Sequence, residues 1–260
     1  MYEQPLVSII TPTYNCSKFI RDVYESIVNQ EYKHWEWVVT DDNSTDDTFT
    51  VLRDLANKDD RIVLSKTDIN SGAAVCRNNS IELSSGRFLA FIDGDDLWLP
   101  NKLTTQIKFM LENRVSFSFT AYQLVNVSGD LSSKVVDLNQ KLPLSYQDML
   151  RKKATLGCST VMLDKTAFND ISLPNLRTGQ DYALWLNLLR TGENAHPIPI
   201  VLTYYRITPN SISRNKFKKA IRQWQIYRKI EKIDFFNSIP LFFNYAWRAC
   251  FESNFVFFLY

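Results

Sequence analysis

Short apolar runs alternate with amphipathic stretches through the first hundred residues, at a spacing of roughly thirty residues, and this alternation leaves few folds open. Residues 6–10, 35–40, 61–65 and 88–92 read as strands. Helices are expected between them. One starts near Ser17, with Phe19, Ile20, Val23, Tyr24, Ile27 and Val28 on one face; one follows the acidic turn at residues 44–47; one spans residues 72–83. Strand-helix-strand crossovers are right-handed, so these strands should lie in a mostly parallel sheet flanked by helices, an α/β, Rossmann-like arrangement. Open sheets of this kind bind ligands beyond the carboxyl ends of their strands. The polar residues gather there: Tyr14 and Asn15, then Asp41 and Asp42, then Asp93 to Asp96.

The fourth strand carries the sharpest signal. Residues 88–92 are uniformly apolar, as in a strand buried on both faces, and they run straight into Asp93, Gly94, Asp95 and Asp96. Carboxylates crowded this closely repel one another unless a cation sits among them or water solvates the turn. Gly94 permits a sharp turn, and hard oxygen ligands suit Mg2+ or Mn2+ rather than zinc. A solvated turn is the competing reading, since Asp and Gly are ordinary turn residues.

Composition narrows the class. With 260 residues, 45% of them hydrophobic, the chain can bury a sizeable core. A net charge of +2 gives no global case for nucleic acid, and none is expected as a partner. Four cysteines without a C-x-x-C pair and only two histidines argue against zinc or a disulfide framework and fit a reducing cytoplasm. The amino terminus lacks a basic region and its apolar run is short, so no secretory signal is expected and the sequons at Asn15 and Asn43 are chance matches. Neither G-x-G-x-x-G nor a P-loop occurs.

Beyond residue 113 the spacing is less regular. Residues 115–127 and 131–136 suggest a hairpin, 145–152 a short helix, and 158–163 and 198–206 further strands. In residues 177–190, Leu184, Trp185, Leu188 and Leu189 form an apolar helix face, and Asp181 falls in the first turn after Gly179. A carboxylate there complements the helix dipole even without other duties. Between Arg214 and Lys232 lie eight basic residues and one acid, interleaved with aromatic and aliphatic residues. The segment that follows is rich in aromatics but broken by Pro240, Arg248 and Glu252, unlike a membrane span of ~20 apolar residues. Two readings stay open for 214–260: a face resting on an anionic membrane surface, or aromatics packed on the domain with a solvated basic side.

Four segments in order, residues 7–15 (VSIITPTYN), 37–46 (WVVTDDNSTD), 76–81 (CRNNSI) and 91–100 (FIDGDDLWLP), together resemble the inverting family 2 glycosyltransferases of GT-A fold. The resemblance implies a domain over 1–212, with a nucleotide-binding half at 1–112 and an acceptor-side half at 113–212, followed by a helical, aromatic-rich extension at 213–260. By the same resemblance, Pro12, Thr13 and Tyr14, with Asp41 or more specifically Asp42, hold the nucleotide base. Asp93 and Gly94 meet the ribose or the metal, and Asp95, with Asp93, binds Mn2+ or Mg2+ bridging the donor diphosphate. Arg77 adds positive charge near that diphosphate, although a solvent-facing helix arginine is the plainer reading. The family opens the later helix with Glu-Asp, whose Asp is the catalytic base; here Gln180 and Asp181 stand in that place. Arg206, in a Tyr-Arg segment followed by the Ser-x-Ser of residues 211–213, is expected to support the diphosphate.

The expected activity is transfer of a sugar from a nucleotide-sugar, a UDP-sugar by preference, to a hydroxyl of a glycan or lipid-linked acceptor in surface polysaccharide assembly. Its place would be the cytoplasm or the cytoplasmic face of the inner membrane. The resemblance leans toward O-antigen and capsule enzymes. The alternative is a non-catalytic nucleotide-sugar-binding scaffold, toward which only Gln180 leans. A haloacid-dehalogenase-like phosphatase is disfavoured because the acidic pair lies on the fourth strand with Leu97 following it, and a nucleotidyltransferase because no glycine-rich basic loop is present.

Overall fold

The computed structural model describes residues 4–208 and 216–254, and among them nine strands form one sheet. The first half follows the alternation: β1 (Val7–Thr13), α1 (Ile20–Val28), β2 (Trp35–Asp41), α2 (Thr48–Ala56), β3 (Ile62–Lys66), α3 (Ala73–Leu83) and β4 (Phe88–Phe91). All four strands are parallel, with β1 between β2 and β4. The second half adds β5 (Leu97–Trp98), α4 (Lys102–Asn113), the hairpin β6 (Phe117–Val125) and β7 (Leu131–Val136), α5 (Tyr146–Leu150), β8 (Val161–Asp164), α6 (Gln180–Leu189) and β9 (His196–Arg206). The order across the sheet is β3-β2-β1-β4-β8-β6-β9-β5, with β7 paired to β6.

The sheet is thus α/β as expected but mixed in direction: β8 is antiparallel to β4 and β6, and β5 is antiparallel to β9. The strand expected over 158–163 is also shorter. Its first three residues, Cys158–Thr160, form a 3-10 turn. Thr160 drives this locally, because its N–H and its hydroxyl both donate to the Gly157 carbonyl, at 2.9 and 2.7 Å.

Strand β1 runs past Pro12 to Thr13 instead of ending at Ile10. Pairing with β4 ends at Ile10–Phe91, while the β2 side continues through Thr13–Asp41. The backbone of Ile10 faces β4, where its carbonyl accepts the Ile92 N–H at 3.1 Å. Two residues on, Pro12 faces the same way, beyond the last β4 pair, so its missing N–H breaks no ladder bond.

Burial on both faces of β4 explains its unbroken apolar run. Phe88 and Ala90 join the layer formed with α1, α2 and α4, through Ile20, Val23, Ile27, Leu52, Leu103 and Ile107. Leu89 and Phe91 join the opposite layer with Leu184, Trp185 and Leu188 of α6. The indole of Trp185 stands edge-on to Phe91 and Phe117 at 5.5 and 5.4 Å, which locks α6 over the sheet.

The extension consists of α7 (Lys216–Gln225), a π-helical turn (Ile226–Ile230) and α8 (Phe235–Asn254). Ile226 and Tyr227 are buried in the α6-side core, and the Tyr227 hydroxyl donates to the Leu150 carbonyl at 2.7 Å. Glu231 accepts from Tyr146 at 2.6 Å and from Arg190 at 2.7 Å. The front of the extension is therefore packed on the domain. On α8, by contrast, Phe236, Ile239, Phe243 and Trp247 recur at helical spacing and are exposed, with the last two rings stacked at 6.2 Å. Among the described residues no helix is long and apolar enough to cross a membrane.

Candidate active site

The acidic loop after β4 is fastened from three directions. Ser159, in the turn before β8, accepts the Asp93 N–H at 3.0 Å and donates to Asp96 Oδ2 at 2.5 Å. Arg206, at the end of β9, gives its N–H to Asp96 Oδ1 at 2.9 Å and its Nε to the Asp95 carbonyl at 2.8 Å. Arg77 of α3 forms an ion pair with Asp93. Gly94 lies against β1: an added Cβ would come 2.9 Å from Cys16 Sγ and 3.4 Å from the Pro12 carbonyl, so no side chain fits there.

These contacts sort the three carboxylates. Asp96 is fully buried, and burial first, then Asp95 and Asp93, hold its carboxyl far above the usual carboxylate range. It serves as a structural hydrogen-bonding post. Asp93 is neutralised on one side by Arg77. Asp95 is raised to about 6, by burial foremost and by the charge of Asp93 next. Among the described residues no protein group of three or more His, Cys, Asp or Glu side chains cages a metal. That donor set fits Mg2+ or Mn2+, which usually keep waters and bind one or two carboxylates together with substrate phosphates. Asp95, with the outer oxygen of Asp93, would hold such an ion.

The base-binding residues expected from the sequence converge on the neighbouring strand ends. Tyr14 is half exposed at the edge of the sheet, whereas Pro12 and Thr13 are buried within β1. Asp41 is buried, and its carboxylate accepts from the Ser44 N–H at 2.9 Å, from the Ser44 hydroxyl at 2.6 Å and from Thr13 at 3.1 Å. Asp42 accepts the N–H groups of Ser71 and Gly72 at 2.6 and 2.8 Å, so it caps the approach to α3. Both carboxylates thus have protein partners already, and a base would meet them in addition to these bonds.

Arg77 is not a solvent-facing arginine but a buried one. Burial disfavours its charge, yet the carboxylates of Asp93 and Asp181 help outweigh that cost and hold the guanidinium above its ordinary value. Asp181 therefore acts on the same cation that grips the acidic loop. The loop before α6 is pinned beside α3, where Asn78 exchanges two hydrogen bonds with Leu173 at 2.8 and 2.9 Å. Gly179 starts α6 in the left-handed region, at φ 75°, and Asp181 accepts the Tyr182 N–H at 2.8 Å. Nearby polar atoms are left over: Thr178 Oγ1, Gln180 Oε1 and Arg77 Nε are buried without a hydrogen-bond partner among the described residues. Such atoms cost roughly 1–3 kcal/mol each, a cost a bound polar ligand relieves.

Arg206 has little left for a ligand. Its Nη1 donates to the Val127 carbonyl at 3.0 Å and its guanidinium stands 4.7 Å above the Phe19 ring, so it is mainly the clamp of the acidic loop. The Ser-x-Ser of residues 211–213 lies outside the described residues. Two features were not foreseen. One is Ser159. The other is a set of cations beside Asp181, Lys152 after α5 and Arg222 of α7, of which the Lys152 ammonium rests 3.4 Å from the Tyr182 ring centre.

A mixed sheet whose parallel strand ends gather carboxylates around a buried arginine, with an acid at the start of a helix packed on the sheet, has the GT-A glycosyltransferase form. Residues 8–171 match the model of glycosyl transferase family 2, and the chain belongs to that family. It is 42% identical, over 95% of its length and 96% of the relative's, to a putative teichuronic acid biosynthesis glycosyltransferase, TuaG, of Bacillus subtilis. It is 40% identical, over 86% of each chain, to WfaP of Escherichia coli, a UDP-Glc:alpha-D-GlcNAc-diphosphoundecaprenol beta-1,3-glucosyltransferase. The fold matches residues 1–349 of S. aureus TarS with a TM-score of 0.71 at 20% identity, over 95% of this chain and 72% of that one. The longer TarS structure extends well beyond it, and this chain spans 40% of that length.

Proposed function

We propose that this glycosyltransferase moves a hexose from a UDP-sugar to a hydroxyl of a lipid-linked diphosphosaccharide, with inversion at the anomeric carbon, during assembly of a surface polysaccharide. The observation that carries the reading is the shared environment of Arg77, flanked by Asp93 of the acidic loop and acted on electrostatically by Asp181. Asp181 takes the proton of the acceptor hydroxyl as its oxygen forms the new bond to the anomeric carbon. The bond from that carbon to the diphosphate breaks on the opposite face, and the electron pair leaves with the nucleoside diphosphate. Arg77 offers fixed positive charge beside the acidic loop as that negative charge develops. A Mn2+ or Mg2+ at Asp95 would supply Lewis-acid stabilisation of the leaving diphosphate. Tyr14 stacks on the base, and Asp41 or Asp42 accepts a base N–H.

The relatives support the acceptor class, because WfaP acts on a diphosphoundecaprenol substrate. A screen of UDP- and GDP-sugars tests the donor: UDP-glucose or another UDP-hexose should raise the melting temperature in Mn2+ and be turned over with a diphospholipid acceptor. Absence of any shift or turnover across the panel would sink the reading.

A lipid-linked acceptor places the enzyme at the cytoplasmic face of a membrane. The exposed row of Phe236, Ile239, Phe243 and Trp247 is the surface proposed to rest there. Changing Phe243 and Trp247 together to Ser should cut sedimentation with phosphatidylglycerol vesicles by about tenfold, since each buried aromatic contributes a few kcal/mol at most. Unchanged sedimentation would assign the row to another role.

A further inference from the structure

Helix α7 packs against the start of α6, beside Asp181. Gly179, two residues before Asp181, faces this helix so closely that an added Cβ would come 3.0 Å from Arg222 Cδ and 3.2 Å from Ile226 Cδ1. The Arg222 guanidinium and the Asp181 carboxylate interact electrostatically. From the other side, Lys152 places its ammonium 3.4 Å from the centre of the Tyr182 ring, and it interacts with both Asp181 and Lys219 of α7. The backbone of Lys152 is in the left-handed region at φ 57°, and its carbonyl accepts from Arg248 of α8 at 2.9 Å. The extension therefore sets the position of this lysine as well as supplying its neighbours.

The charge here is unbalanced. Among the described residues neither Lys152 nor Arg222 forms an ion pair. Burial brings Lys152 down to about 8 and lowers Arg222, with Asp181 opposing both shifts. Lys152 and Lys219 repel each other, and the three cations here are answered by two carboxylates, Asp181 and, for Lys152, also Asp137, so positive charge is in excess unless an anion joins them. Gln180 Oε1 and Thr178 Oγ1, buried and without a hydrogen-bond partner among the described residues, lie at the same helix start, so polar groups there are left for a ligand to satisfy. The acidic loop has its own cation in Arg77, which pairs with Asp93.

We infer that Lys152 and Arg222, with Lys219 beside them, form an anion subsite for the diphosphate of the acceptor, distinct from the Asp95 end that takes the donor diphosphate. This rests on the lipid-linked acceptor proposed above. It gives the basic extension a role in choosing the acceptor: an acceptor lacking the diphosphate would leave Lys152 and Arg222 without an anionic ligand.

Binding of decyl diphosphate to the full chain, with UDP and Mn2+ present, tests the subsite without requiring turnover. The wild type should bind it, and Lys152→Met and Arg222→Ala should each weaken binding about tenfold, the effect of one charged hydrogen bond. Arg222→Lys should recover most of the loss, and UDP affinity should stay constant throughout. Asp181→Asn should bind decyl diphosphate at least as well as the wild type. Equal affinity of wild type and both variants, or no binding by the wild type, overturns the subsite. A parallel loss of UDP affinity also overturns it, because the cations would then serve the donor. So does a loss confined to phosphatidylglycerol vesicles, which would mark a membrane face. Failure of the transferase reading looks different: sugar transfer would be absent, or would survive Asp181→Asn, whatever decyl diphosphate does.

Discussion

Asp181→Asn should lower the rate of sugar transfer by about a thousandfold while leaving UDP-sugar binding unchanged, since a general base is worth on the order of 10^2 to 10^4 in rate. The substitution keeps the size of the side chain and its acceptor oxygen. The Tyr182 N–H, which now donates to Asp181 Oδ1 at 2.8 Å, retains a partner, so the start of α6 should survive. What is lost is the capacity to take a proton. A measurement of kcat, with the donor Kd determined separately by calorimetry, distinguishes this from general damage. Loss of donor binding in parallel would instead mean that Asp181 supports Arg77, and through it the acidic loop. Full activity in the variant would remove Asp181 from the chemistry altogether.

Asp95→Asn should abolish the cation dependence of donor binding and reduce turnover at least a hundredfold, because a Lewis acid at the diphosphate contributes several kcal/mol. A second readout needs no substrate. Asp95 is raised to about 6 in the folded chain, by burial first and Asp93 second, whereas an unfolded Asp titrates near 4. Between those values the folded state binds the extra proton, so stability declines as pH rises from about 4 to about 6 and stays lower above that window. In cation-free buffer at pH 8 the Asn variant should therefore melt on the order of 3 °C above the wild type, and at pH 4 the two should nearly coincide. Mn2+ should raise the wild-type melting temperature at pH 8 and have little effect on the variant. Equal stabilisation of both by Mn2+ would move the cation elsewhere.

The first half of the fold was legible because each strand is short, apolar and separated from the next by a helix. The paired burial of Phe88 with Ala90 and of Leu89 with Phe91 is written in an unbroken apolar run. The acidic loop could be found for the same reason, since nothing in packing calls for three carboxylates there. Ser159 could not be found in this way. It precedes β8, which runs against β4, so the beginning of this strand lies at the edge where its parallel neighbours end. A search of strand carboxyl ends passes over it. The polar Cys158, Ser159 and Thr160 just before an apolar strand are the trace it leaves in the sequence.

Arg77 was ambiguous for a different reason: α3 alternates small and polar residues, and nothing in that pattern says which face is covered. Cys76 and Ser80 turn toward β2, where Ser80 Oγ lies 2.7 Å from Thr40 Oγ1, and Arg77 is buried against the acidic loop at Asp93, neighbours that only the tertiary fold brings to this helix. Lys152 and Arg222 were hidden by distance as well. They sit seventy residues apart, one in a segment expected to be a plain short helix and the other in one expected to meet either water or lipid. Their common neighbour, Asp181, lies on a third segment. The sequence showed the charge of the extension but not that its front is plugged into the core by Ile226 and Tyr227.

That plug has a mechanical consequence. With Tyr227 bonded to Leu150, Glu231 to Tyr146 and Arg190, and Arg248 of α8 to the carbonyl of Lys152, the extension is tied to the same elements that carry the residues beside Asp181. The ring-bearing helix and the residues beside Asp181 thus share one set of contacts, like a foot and a hand on one frame. If the rings rest on a lipid surface, as proposed, that surface sets the height from which the reactive alcohol is delivered.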